Sequence, residues 1–340
     1  MKKLFLLLLI ILCLIGCTPK HVPTLPISES SEFEVHFIDV GQADSALILC
    51  DGKAMLIDGG NVADSSLIYS YLKKYSVDTL DYMIATHPHE DHIGGLSGAL
   101  NYASVETVYT STIDYPSETF EIFFKQAQKN GAEILVPEVG ETFKLGSAEV
   151  EIVGCNSVEE TNNSSIVLRV VYGDVSFLFT ADAERDAEQV ILKSGADLKS
   201  TVLKVGHHGS YAATTYPFLR EVMPEYAVIS VGEGNMYGHP HEEALSRLRD
   251  ADVTVYRTDE LGTVICRSDG VDVEFSFEKN LVKQDGTENS DYVLNTSSKK
   301  IHLPACESVK DMSDKNREYY SGTKEELLLQ GYSICNSCRP

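Results

Sequence analysis

Residues 87–92 read His-Pro-His-Glu-Asp-His and follow directly on the apolar run Asp81-Tyr82-Met83-Ile84-Ala85. Three imidazoles and the Asp91 carboxylate within six positions are costly to bury without partners, and one or two divalent cations compensate that donor set most economically. The alternation of His87 and His89 suits an extended loop that points both rings the same way. Pro88 keeps His87 out of the helical region and shapes the turn between them. Asp91 and His92 then open an amphipathic helix. The competing reading, a solvated histidine-rich loop, leaves this density of ligand chemistry after a strand without a purpose.

The same strand-then-polar-residue arrangement recurs. Ala54-Met55-Leu56-Ile57 leads into Asp58, Phe177-Leu178-Phe179-Thr180 precedes Asp182, and Thr201 to Val205 precedes His207 and His208. Asp51-Gly52 and Gly173-Asp174 each separate two apolar runs, which is a strong hairpin signal. Helices are expected over 65–74, 92–101, 117–129, 184–194 and 241–250. Hairpins interleaved with helices fit one layered α/β domain over 32–279, with ligand-bearing loops gathered at strand ends. A polar stretch at 280–290 reads as a linker, and 291–340 as a separate small module.

Ahead of the domain, Lys2-Lys3 and an apolar stretch to Gly16 read as a secretory signal over 1–16, too short for the ~20 residues a spanning helix needs. Leu14-Ile15-Gly16-Cys17 resembles a lipobox, with Cys17 as the lipidated first residue and 17–31 as a Pro- and Ser-rich tether. The alternative is an uncleaved anchor. Both place the body outside the cytoplasm, at the membrane surface. The chain carries a net charge of −23, so a polyanionic substrate has to be captured locally by metal ions rather than by a basic groove. Cys50, Cys155 and Cys266 lie in or beside apolar runs and read as buried hydrophobes.

With these motifs in this order, residues 33–277 resemble the metallo-β-lactamase superfamily. More narrowly, Phe37-Ile38-Asp39-Val40-Gly41-Gln42-Ala43-Asp44-Ser45, the Thr86 to Gly95 segment, Asn162-Asn163-Ser164-Ser165, Leu178 to Glu184 and Leu203 to Ser210 resemble the extracytoplasmic hydrolase domain of ComEC-type DNA-uptake proteins. The resemblance implies an αββα sandwich with one or two divalent ions, Zn²⁺ or Mn²⁺. It implies His87 and His89 on a first metal, Asp91 and His92 on a second, and Asp182 bridging them. It has His207 completing the second site, with His208 as its neighbour, and Asp58 holding the ligand loop by hydrogen bonds.

Family members supply a third histidine to the first metal, yet no histidine occurs between His92 and His207; Asn163 is the expected weak substitute. On their own residues, Asp182 also fits a helix cap and His207-His208-Gly209 a polar turn. His239 and His241 either line the cleft, with His239 as proton donor, or cap a helix. The implied activity is phosphodiester hydrolysis, with Asp91 and Asp182 retaining the metals and orienting water. Extracellular DNA is the first substrate choice, envelope phosphodiesters such as teichoic acid or phosphocholine the second, and a β-lactam or lactone the third. A non-catalytic DNA-binding accessory of uptake is the alternative.

In the tail, His302 and Cys306 are followed by Cys335 and Cys338, two close pairs of soft ligands of the kind that hold structural zinc. The module resembles the zinc-binding domain of Ada-type repair proteins, and so few residues hold too little core to fold readily without a staple. A disulfide among the three cysteines is the alternative, and it leaves His302 unexplained.

Overall fold

The computed structural model describes residues 33–155, 161–281, 292–303, 306–310, 312–320, 324–329, 331–335 and 338. The signal over 1–16, the tether with Cys17 and the linker from 282 onward lie outside the described residues. Among the described residues no helix is long and apolar enough to cross a membrane.

The chain opens on an antiparallel meander of β1 (Phe33–Phe37), β2 (Ala46–Cys50) and β3 (Lys53–Ile57). Asp51 and Gly52 both take positive φ, 50° and 76°, as a two-residue turn matched to strand twist requires. Parallel strands β4 (Thr79–Ala85), β5 (Ser104–Thr110) and β6 (Glu133–Leu135) follow, each reached through helix: α1 (Ser65–Lys74), α2 (Glu90–Ile93) with α3 (Leu96–Tyr102), and α4 (Glu118–Asn130). Next come β7 (Thr142–Leu145), β8 (Ala148–Gly154), β9 (Val167–Tyr172) and β10 (Val175–Phe179), all antiparallel neighbours. The parallel strands β11 (Val202–Lys204), β12 (Tyr226–Ile229) and β13 (Thr254–Arg257) extend that sheet, with α5 (Arg185–Ser194), α6 (Tyr216–Val222) and α7 (Glu242–Asp250) between them. Finally β14 (Val264–Ser268) and β15 (Val273–Phe277) return to pair beside β1.

Two sheets result, ordered β15-β14-β1-β2-β3-β4-β5-β6 and β13-β12-β11-β10-β9-β8-β7. Alternation along the strands sorts side chains into three apolar layers. Phe33, Val35, Ile48, Met55, Val170 and Phe177 fill the space between the sheets. Leu47, Leu56 and Met83 face the other way, toward Ile68, Leu72, Ala99 and Phe123 of the first helical layer. Leu203 and Ile229 do the same toward Ile191, Phe218 and Leu248 of the second. The architecture is the expected αββα sandwich. A separate four-stranded sheet, β18-β16-β17-β19, comes from β16 (Tyr292–Asn295), β17 (Lys300–His302), β18 (Arg317–Tyr320) and β19 (Ser333–Ile334).

The single helix expected over 92–101 is two helices broken at Gly94-Gly95. Close packing explains the break: Gly59 N–H donates to the His92 carbonyl (2.7 Å) and Gly95 N–H to the Gly60 carbonyl (2.9 Å). These contacts lock the loop carrying Asp58 to the loop carrying His92. One turn on, a Cβ at Gly98 would stand 1.9 Å from the Ser65 carbonyl oxygen. Gly98→Ala therefore forces α1 and α3 apart and is expected to cost about 1–3 kcal/mol. A lower denaturant midpoint at constant slope checks this.

Candidate metal centre

The strand-end residues converge on one edge of the sandwich. Asp58, held at φ 56°, accepts from Thr86 N–H at 2.9 Å and Thr86 hydroxyl at 2.7 Å. Its second oxygen lies 2.7 Å from His92 Nδ1. That contact fixes the ring and turns Nε2 outward, as the expected role of Asp58 in holding the loop demands.

Asp182 sits between two groups of imidazoles. Its Oδ1 is 3.4 Å from His92 Nε2 and 3.7 Å from His208 Nε2. Its Oδ2 is 3.5 Å from His207 Nε2 and 3.9 Å from His87 Nε2. On the Oδ1 side, His208 Nε2 also lies 3.4 Å from Asp91, and Asp91, His92, Asp182 and His208 each offer a ligand atom within 4.8 Å of the others. On the Oδ2 side, His87 Nε2 stands 3.1 Å from His89 Nδ1. Asp182 precedes α5 without capping it; Glu184 occupies that cap position.

Two expectations are corrected. His207 does not complete the group of Asp91 and His92; His208 does, and His207 lies on the side of His87 and His89. The cause is the backbone: His207 and His208 have φ of 47° and 51° in the turn Gly206–Gly209, and their rings leave toward opposite oxygens of Asp182. Each ring is then oriented by its Nδ1, 2.9 Å from Glu184 in His207 and donating to the Ser230 carbonyl at 3.0 Å in His208. Asn163 is not placed as a ligand either. Its side-chain oxygen accepts from the backbone N–H groups of Glu184 (3.1 Å) and Ala187 (3.3 Å), tying down the start of α5. His207 Nε2 instead shares Asp182 Oδ2 with His87.

Sequence reasoning missed the supporting roles of four residues. Buried Lys204 bonds Asp44 at 2.7 Å, and the other Asp44 oxygen lies 3.1 Å from His208 Nδ1. Glu184 steadies His207, and Gln42 reaches His239 (3.3 Å). Asp44 and Gln42 stood in a recognised motif; Lys204 carried no signal beyond a cation inside an apolar strand.

The donor set fits divalent ions. His92 Nε2, Asp182 Oδ1 and His208 Nε2 are buried, lack hydrogen-bond partners and face one another, which is costly unless a cation sits among them. Electrostatics agree. Burial disfavours the charged form of His92, but Asp182, Asp58 and Asp91 raise its pKa well above the ordinary range. Against the same burial, Asp182 and Asp44 bring His208 up to about 10. Burial works to raise the Asp182 carboxyl, yet His92 and His208 hold it well below its usual value. A divalent ion bound among these groups would displace protons from His92 and His208. Burial, then His207 and His208, depress His239 to about 4. Above the site opens a cleft of about 280 Å³ lined by Gln42, His89, Asp91, Asn162, Tyr237 and His239, among others.

A second group forms in the tail. His302, Cys306, Cys335 and Cys338 offer ligand atoms within 4.8 Å of one another, with His302 Nδ1 3.5 Å from Cys306 Sγ. No disulfide joins the described cysteines here, and Leu303 N–H donates to Cys338 Sγ at 3.4 Å.

The chain is similar to several known proteins. The family model described as the metallo-beta-lactamase superfamily matches residues 38–233. ComE operon protein 3 of Bacillus subtilis is 30% identical over 255 residues, covering 69% of this chain and 33% of that protein. Competence protein ComA of Neisseria gonorrhoeae is 31% identical over 248 residues, covering 72% and 33%. The chain thus spans about a third of the length of these curated relatives. Among solved structures, the metallo-beta-lactamase fold protein YhfI from Bacillus subtilis aligns at a TM-score of 0.46 and 13% identity, covering 72% of this chain and all of that one.

Two outcomes follow from the wiring. His92 and His208 have folded pKa values above the ordinary histidine value, so their stabilising effect is complete below pH ~6.5 and is lost as pH rises toward 10. Divalent ions compete with those protons, so affinity rises with pH, and calorimetry at pH 7 across buffers of different ionisation enthalpy reads proton release. Zero release contradicts the site. Asp58→Asn, which weakens the hold on His92, lowers divalent affinity about 10–100-fold in a chelator competition.

Proposed function

The chain belongs to the metallo-β-lactamase superfamily, and from that membership we propose that it is a metal-dependent phosphodiesterase that cleaves DNA at the outer face of the cell membrane. The observation that carries this reading is Asp182, whose two oxygens face two separate imidazole groups. Asp91, His92, His208 and Asp182 would hold one ion, and His87, His89 and His207, with the same Asp182, would hold a second. Zn²⁺ and Mn²⁺ both suit such mixed imidazole and carboxylate donors. When bound, such ions supply Lewis acidity toward a phosphoryl oxygen and acidify water at the site.

The chain's own residues do the rest. Asp91 reaches the cleft, and although burial opposes it, His92 keeps its carboxyl down at about 2, so it stays an acceptor able to orient water. Gly232 N–H donates to the Gln42 amide oxygen at 3.2 Å, which turns the Gln42 amide nitrogen toward His239 Nδ1. The neutral His239 ring then carries its proton on Nε2, as a hydrogen-bond donor for a leaving oxygen. Glu184 and the Ser230 carbonyl keep His207 and His208 in the tautomers that leave Nε2 available as ligand.

DNA as substrate is supported by the relative named competence protein ComA and by the resemblance of the motifs to ComEC-type DNA-uptake proteins. The outer-face location and a lipid anchor at Cys17 rest on the sequence of the first seventeen residues. The tail tetrad is proposed to bind zinc structurally, which gives His302 a function that a disulfide leaves open.

The test is hydrolysis by the metal-loaded protein of single- and double-stranded DNA, a bis-aryl phosphodiester and a cephalosporin. Single-stranded DNA and the phosphodiester are expected to react; the cephalosporin is not. Asp182→Ala removes both ligand oxygens and lowers the rate by more than about a hundredfold, beyond the loss of an outer partner. Wild-type hydrolysis by that variant rejects the reading.

A further inference from the structure

A run of aromatic rings leads outward from the metal ligands. His207 and His239 are 5.5 Å apart between ring centroids. His239 neighbours Tyr237 at 5.7 Å with planes at 27°, and His241 at 4.7 Å; His241 neighbours Tyr211 at 5.2 Å. The two ends stand in solvent: Tyr237 is 62% exposed and Tyr211 58%, and Met236 beside Tyr237 is 89% exposed.

Neither end is loose. The Asn235 side-chain oxygen accepts from Tyr237 N–H (3.1 Å) and His239 N–H (3.0 Å), while its amide nitrogen donates to the carbonyls of Gly232 (2.9 Å) and His239 (2.6 Å). Tyr211 N–H donates to His241 Nδ1 (3.1 Å), and the Tyr211 carbonyl accepts from buried Arg247 (3.1 Å). Backbone held this firmly keeps the outer faces of these rings in water, with only His239 beside Tyr237 and His241 beside Tyr211 as ring neighbours among the described residues. Tyr237 continues the wall of the cleft, which it lines with His239, and Tyr211 stands farther out, reached through His241.

The chain's net charge of −23 gives a polyanion no general electrostatic welcome. Aromatic faces provide another handle, because every nucleobase has a π-face and stacking tolerates any sequence. Bases inside a duplex are already stacked, so the handle favours unpaired ones.

We propose that Tyr237 and Tyr211 determine substrate specificity by stacking on unpaired bases of a single-stranded nucleic acid, which presents its phosphodiester to the metal ligands. The inference rests on the phosphodiesterase reading and adds the form of the substrate. Base-bearing single strands are bound ahead of phosphodiester polymers that lack bases.

The chain contains no tryptophan, so Tyr237→Trp in the full, metal-loaded chain is a single fluorescent reporter. Its emission is expected to be quenched saturably by a short oligothymidylate and not by an abasic sugar–phosphate chain of equal length. In fluorescence anisotropy, the Tyr237→Ala, Tyr211→Ala double variant is expected to lose about a hundredfold in affinity for oligothymidylate, roughly tenfold per ring, while the corresponding Phe variants keep it. Matching thermal melts of the Ala and Phe variants show that the fold is intact. Absent quenching, or equal affinity for the abasic chain, overturns the proposal; the latter marks a polymer read by its backbone, as an envelope phosphodiester is. If DNA is hydrolysed but no base dependence appears, stacking falls and the phosphodiesterase stands. If quenching and affinity loss appear but no phosphodiester is cleaved, stacking stands and the phosphodiesterase falls.

Discussion

One carboxylate organises the functional edge of this molecule. Asp182 is buried at the end of β10 with one oxygen toward His92 and His208 and the other toward His87 and His207. A buried carboxylate and a crowd of buried imidazoles are tolerable only together, whether balanced by protons or by divalent ions. Every loop that reaches this point is consequently anchored from behind. Asp58 and Thr86 hold the His92 side, Lys204 and Asp44 the His208 side, Glu184 the His207 side, and Ser165 approaches His87 Nδ1 at 3.4 Å.

The sandwich makes that convergence possible. Both sheets turn parallel toward the functional edge, β3 to β6 in one and β10 to β13 in the other, so their loops leave in a common direction. Three apolar layers fix how far apart those strand ends lie. The glycine contacts between the Asp58 and His92 loops then bring backbone to backbone at a distance no side chain allows. Precision at the site is therefore a packing property of its supports.

Much of this was legible along the chain. Hairpins at Asp51-Gly52 and Gly173-Asp174 and helices near 65–74, 117–129, 184–194 and 241–250 follow from local turn chemistry and periodicity, and they occur as expected. The ligand types were legible because buried imidazole and carboxylate together are rare without a purpose. The partition of His207 and His208 was not, because it depends on two successive positive φ values that neither residue announces. Asn163 looked like a substitute ligand because it stands where the resembled family places its third histidine; in space its oxygen is spent on the start of α5. Lys204 is one of a run of strand residues until Asp44, 160 positions away, closes on it.

The amino-acid sequence by itself determined the inventory: an αββα class, a metal-binding edge built from His87, His89, Asp91, His92, Asp182 and the His207-His208 pair, and a tail with one histidine and three cysteines. Periodicity, turn residues and donor chemistry are local, and local properties survive in a one-dimensional reading. Only the tertiary structure decided which imidazole shares which oxygen of Asp182, which side chains stand behind them, and that a line of rings runs from the ligands to Tyr237 and Tyr211. Those are distances between residues far apart in the chain, set by packed layers and by backbone angles that no single residue specifies.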